Sequence, residues 1–154
     1  MSAAGFSRGV MQLAASAWVG ALWAVGYLAV PVLFRAQPDR QLAGMLAGEM
    51  FAGLAYLGLV CAALLLALMV REAGAAVFRQ RACQFVLAMA LLTLVSQFGL
   101  QPLMAELKAQ ALPLEVMHSP YASQFRSLHG VSSILFLLQS LLGAGLLLKL
   151  NRPL

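Results

Sequence analysis

The stretch Met50–Val70, MFAGLAYLGLVCAALLLALMV, holds 21 residues without a single charged side chain. Lipid offers no partner to an unpaired backbone amide or carbonyl, so about 20 apolar residues cross about 30 Å of hydrocarbon only as a helix. Three further charge-free stretches read the same way: Gly9–Phe34, Ala82–Ala105 and Ser127–Leu148, at 26, 24 and 22 residues. The 154-residue chain is 62% hydrophobic and 10% charged, too few charges to give a water-soluble domain its surface. The sequence therefore predicts an all-α integral membrane four-helix bundle. It forms one transmembrane domain over 1–154, with spans at about 9–34, 45–70, 82–101 and 127–148.

The first stretch is too long for the apolar region of a signal peptide, which runs to about 7–15 residues. It also ends in Pro31-Val32-Leu33-Phe34-Arg35 rather than in small residues suited to cleavage, so it is expected to remain as the first span. Four spans bring both termini and the Arg71–Arg81 loop to one side. Arg8, Arg71, Arg79, Arg81, Lys149 and Arg152 fall there, against Arg35, Arg40, Lys108 and Arg126 opposite. Six basic residues to four predict cytoplasmic N and C termini by the positive-inside rule. The net charge of +5 and pI near 9.9 come from these flanking anchors, which face lipid headgroups. No basic run is long enough for nucleic acid, so the expected partner is the bilayer. Cys61 and Cys83 lie inside spans and read as small packing residues, not as a disulfide.

Polar and small residues recur at helical spacing. In the first span, Ser16 and Gly20 stand four apart and predict close helix packing, while Pro31 predicts a kink or an end. Gln37-Pro38-Asp39-Arg40 is a turn signature, and Asp39 is expected to cap the next helix. Gly44, Gly48 and Gly53 predict tight packing at the outer end of the second span. Glu49, beside them, lies either at the outer interface or within the bundle. The third span carries Thr93, Ser96, Gln97 and Gln101 before Pro102, which is expected to close it. Beyond Pro102, Leu103, Met104, Leu107 and Ala111 set against Glu106, Lys108 and Gln110 predict a short amphipathic helix on the outer face, between helices 3 and 4. The fourth span carries His129, Ser132, Ser133, Gln139, Ser140 and Gly143, the last a further packing glycine.

Outer halves are the ends of spans 1 and 3 and the starts of spans 2 and 4. This topology predicts a candidate ligand-binding set of Tyr27, Glu49, Tyr56, Gln97, Gln101, His129 and Ser133. An ionisable residue inside a span is costly, which makes His129 the leading functional candidate; an interfacial histidine bonded to a carbonyl or water is the bland alternative. Histidine alone ligates haem iron, and histidine with a carboxylate shuttles protons or holds a metal. His129 and His118 are the metal candidates, with Met104 and Met117 as soft ligands near His118 that suit copper. There is no HExxH, CxxC, Walker motif, dinucleotide fingerprint or nucleophile elbow, so soluble enzyme classes have no support.

Trp18-Val19-Gly20-Ala21-Leu22-Trp23 with Gly26–Phe34, then Gln97-Phe98-Gly99-Leu100-Gln101-Pro102 and Leu128-His129-Gly130-Val131-Ser132-Ser133, carry a resemblance over nearly the whole chain. The chain resembles an uncharacterised bacterial four-helix membrane family, domain of unknown function 4149, related to transmembrane protein 205. The resemblance implies a multi-pass protein of the bacterial inner membrane with no established activity. The chain also bears a distant likeness to the CopD copper-resistance membrane protein and to a haem-containing protoporphyrinogen oxidase, the latter carried by Trp23, Pro31, Leu33 and Phe34. The position of that oxidase's haem-ligating histidine corresponds to about Ser16 here, and spans 2 and 3 contain no lysine.

Three functions stay open. The first is a non-enzymatic module with an outward-facing polar pocket at His129 that binds or passes a small ligand, metal ion or lipid headgroup. The second is a haem- or copper-dependent redox protein. The third is a structural subunit, in a homo-oligomer or a larger membrane complex.

Overall fold

The computed structural model describes residues 3–150, so Arg152 lies outside the described residues. Every regular element among them is helical, and four rods are long and apolar enough to cross a bilayer. Helix 1 runs Ala3–Trp23, widens into a π-helical turn over Ala24–Ala29, and resumes over Val30–Ala36. Helix 2 spans Arg40–Ala73 and is followed by a 3₁₀ turn, Gly74–Arg79. Helix 3 runs Arg81–Leu94, widens over Val95–Leu100, and continues as Gln101–Ala111. Helix 4 covers Ala122–Leu150.

The helix ends follow from local chemistry. Asp39 caps helix 2 as expected: its Oδ1 accepts from the amides of Gln41 at 2.9 Å and Leu42 at 3.0 Å, two donors with no partner inside the helix. Gly74 ends the same helix with φ +58° and ψ −149°, a backbone conformation open to a residue without Cβ. The two prolines expected to end or kink their helices do something else. A proline lacks an amide hydrogen, and its ring presses on the carbonyl four residues back, Tyr27 for Pro31 and Phe98 for Pro102. In each case a six-residue wide turn closes two residues before the proline, and the residue before it donates five residues back, Val30 to Val25 O and Gln101 to Ser96 O. The turn of the helix is widened and the rod runs on. Residues 103–111 therefore continue helix 3 and do not begin a separate helix.

The four rods form a ring in which each touches the next: 1 with 2, 2 with 3, 3 with 4 and 4 with 1. One end carries Arg8, Arg71, Arg79, Arg81 and Lys149, and we call it the basic end. The packed core belongs to the half of the bundle nearest it. Met11, Ala15, Trp18 and Val19 of helix 1 meet Cys61, Ala62, Leu65 and Met69 of helix 2, Cys83, Val86 and Met89 of helix 3, and Leu146 of helix 4. At 1.5 Å per residue, every one of these lies within about 17 Å of its basic-end charge. Both cysteines are buried and free, as their place in the spans predicts.

Glycine makes this packing possible at two depths. A Cβ on Gly58 would collide with the Trp18 indole, and one on Gly143 would lie 3.0 Å from Val19 Cγ2. The small residues singled out on helices 1 and 2 are placed differently. Ser16, Gly20 and Gly53 are exposed, and a Cβ on Gly20, Gly48 or Gly53 would meet nothing within 4 Å. Gly44 has only the Lys108 ammonium nearby, at 3.8 Å. Within one chain no helix fills the space beside Gly20, Gly48 or Gly53, and Gly44 meets helix 3 through Lys108.

Candidate functional site

Away from the basic end the helices part around a cleft of about 120 Å³. Helix 2 supplies Phe51, Leu54 and Ala55, an apolar wall. Helix 3 supplies Thr93, Ser96, Gln97 and Gln101, and helix 4 supplies His129, Ser132, Ser133, Phe136 and Gln139. Most of the polar lining thus comes from two neighbouring helices and faces hydrocarbon side chains across the gap.

The wide turn in helix 3 is what aligns this row. An α-helix advances about 100° per residue, so eight residues would leave Gln101 about 80° away from Thr93. One extra residue absorbed in the π turn brings the two to within about 20° of each other. Pro102 thereby shapes the cleft it borders.

The depth follows from the helical rise. Gln101 and His129 each stand 20 residues from the basic-end charge of their helix, Arg81 and Lys149, or about 30 Å, the far edge of the hydrocarbon. Thr93 and Gln139 stand 12 and 10 residues away, about 18 and 15 Å, near its middle. There Gln139 Nε2 donates to Thr93 Oγ1 at 2.8 Å, and Thr93 Oγ1 donates to Met89 O at 2.9 Å. This pair is buried and forms the floor. Beneath it Gly143, Val19 and Met89 are in close contact, so the cleft is blind.

The side facing helix 1 is closed by aromatic packing. Phe136 sits where a Cβ of Gly26 would be, and its ring meets Tyr27 and Phe51 edge-on, with centroids 5.4 and 5.7 Å apart. Tyr27 is 54% exposed, yet its hydroxyl donates to Ser140 Oγ at 3.0 Å and ties helix 1 to helix 4. At the mouth, Phe125 stacks on His129 at 6.0 Å, and Lys108 Nζ lies 5.6 Å from the Phe125 centroid while donating to Gly44 O at 3.3 Å. Ser133 Oγ donates to the His129 carbonyl at 2.8 Å.

Of the seven residues expected to share a site, Gln97, Gln101, His129 and Ser133 line the cleft, and Tyr27 stands behind its Phe136 wall. Glu49 and Tyr56 do not join them: both are exposed on the lipid face of helix 2. Its inward residues are Ala43, Ala47, Ala55 and Gly58, and Glu49 and Tyr56 each sit two positions, about 200°, from one of these. His118 is exposed in the connection before helix 4, its Nδ1 3.4 Å from Glu115 Oε2. Met104 is buried while Met117 is exposed, and no group of three or more His, Cys, Asp or Glu converges among the described residues. Phe136 and its glycine seat, and the Thr93–Gln139 floor, are the parts that sequence reasoning missed. Thr93 and Gln139 did belong to the visible polar rows, whereas nothing in the sequence pairs Phe136 with Gly26.

The model of a family described as a domain of unknown function (DUF4149) matches residues 13–113. That segment contains helices 2 and 3 and most of helix 1, and stops before the helix 4 wall of the cleft. No curated protein and no solved structure matches the chain.

Proposed function

Starting from the chain's membership of the DUF4149 family, whose description names no activity, we propose a membrane binding module whose site is the blind cleft at His129. One observation carries this reading: Ser96, Gln97, Gln101 and Ser132 line a cavity at hydrocarbon depth, and none of their side chains bonds to the protein among the described residues. Unpaired polar groups at that depth are expensive, and a ligand or water that satisfies them recovers the cost.

The blind floor supports binding over passage through the bundle. His129 is the one ionisable lining residue, so the cleft offers a metal ion a single strong ligand. Basic residues at the opposite end support a cytoplasmic basic end and a cleft facing outward from a bacterial inner membrane. A second reading, a structural subunit in a homo-oligomer or larger complex, draws on the exposed Ser16, Gly20 and Gly53, the two glycines leaving open space where a Cβ would stand.

Cysteine labelling in intact cells tests the binding site. Ser132→Cys is expected to react with a membrane-impermeant maleimide from outside, while Gly20→Cys, on the lipid face, stays protected. Protection of Ser132→Cys equal to that of Gly20→Cys would remove the outward-open cleft.

A further inference from the structure

We infer that the cleft selects against charge: it takes an uncharged head carrying both hydrogen-bond donors and acceptors, the chemistry of a glycerol diol. This rests on the binding reading above and names the class of ligand for that same site.

The lining holds no aspartate, glutamate, lysine or arginine. An ion entering from the mouth would shed its water toward mid-hydrocarbon with no permanent charge in the lining and the His129 imidazole alone at the rim, a penalty of several kcal/mol per ion. The charged groups nearby are engaged or turned away. Lys108 is held by the Gly44 carbonyl and the Phe125 ring, seven residues beyond Gln101 along helix 3. Glu106 accepts from Gln110 Nε2 at 3.1 Å, and Glu49 is on the lipid face.

The free polar groups are of one kind. Gln97 and Gln101 each present an amide with two donors and an acceptor oxygen, and Ser96 and Ser132 each present a hydroxyl that does both. A head with acceptors alone would leave the hydroxyl and amide oxygens unmet, and one with donors alone would leave the amide N–H groups unmet. Hydroxyl groups on the ligand answer both. Opposite them, Phe51 and Leu54 offer a carbon surface for the ligand skeleton. The cleft, about 120 Å³, has room for a unit as small as glycerol beside its polar wall. Such a unit reaches the mouth either free in water or on a lipid whose chains stay in the leaflet.

The test is equilibrium binding to the full chain in phosphatidylcholine nanodiscs. The probes are radiolabelled glycerol, dioctanoylglycerol and dioctanoyl phosphatidic acid, the last two differing only in the charged phosphate. Saturable binding of a neutral probe is expected, at least about tenfold tighter than phosphatidic acid and weakened at least about tenfold by Gln97→Leu or Gln101→Leu. Thermal unfolding checks that each variant is folded, and Gln101→Met serves as a second apolar replacement. Glycerol binding alone identifies a water-borne ligand, and binding of dioctanoylglycerol but not glycerol a lipid-borne one; both support the inference. Phosphatidic acid bound as tightly as dioctanoylglycerol, through the same two glutamines, overturns the charge rule and leaves the binding site standing. Absence of neutral-probe binding, or binding indifferent to both substitutions, also overturns it, and the Ser132→Cys labelling then decides separately whether the site itself survives.

Discussion

The two halves of this bundle solve the problem of packing in lipid by opposite means. Near the basic end, Trp18, Val19, Leu65, Val86, Met89 and Leu146 are almost wholly buried, and glycines let the helices approach. At the other end the helices are tied by single polar links, Tyr27 to Ser140, Thr93 to Gln139 and Lys108 to Gly44, and by the Tyr27–Phe136–Phe51 rings. Lipid tails are as apolar as leucine, so helices associate through close contact and hydrogen bonds rather than through hydrophobic drive. The first half relies on contact and becomes solid. The second relies on hydrogen bonds and stays open enough to hold a cleft.

Substitutions should break this contrast unequally. Leu65→Ala, which hollows the solid half, is expected to cost about 2–5 kcal/mol in a reversible unfolding measurement in detergent. Gly58→Leu forces a side chain against Trp18 and is expected to cost about 1–3 kcal/mol or more, while Gly53→Leu on the same helix stays within about 0.5 kcal/mol. Equal losses for the two glycine variants would show that the lipid face of helix 2 is packed in the native assembly. In the open half, Gln139→Leu removes one interhelical hydrogen bond and should lower stability by about 0.6–1.7 kcal/mol. Smallest in stability, and sharpest in meaning, is Pro102→Ala. The fold should survive within about 0.5 kcal/mol, but relaxing the π turn would rotate Gln101 out of line with Thr93. In that background Gln101→Cys should label from water more slowly than in the parent, and an unchanged rate would show that the wide turn does not depend on the proline.

The polar rows that form the cleft were legible in the sequence because hydrophilic residues are rare in spans: Thr93, Ser96, Gln97 and Gln101, and His129, Ser132, Ser133 and Gln139, recur on helical faces. Helix 2 was less legible. Its apolar residues surround the whole circumference, so Glu49 and Tyr56 shared a depth with the cleft while standing on the opposite face. The glycine motifs were misleading for a related reason. Gly44-x-x-x-Gly48 has the spacing of a packing motif, but the glycine of helix 2 that is filled by a neighbour is Gly58, facing Trp18. Spacing does not distinguish a glycine that faces a partner helix from one that faces lipid.

By itself the sequence determined that there are four spans, that Asp39 caps the second, and that polar side chains gather toward one end. These depend on length, charge and backbone hydrogen bonding, which are properties of one segment at a time. Only the tertiary structure decided how each helix is rotated and which polar residues meet. In water an apolar stripe betrays the inward face of a helix; in lipid both faces are apolar, and rotation is set by which side chain fits which glycine and by the extra residue stored in each π turn.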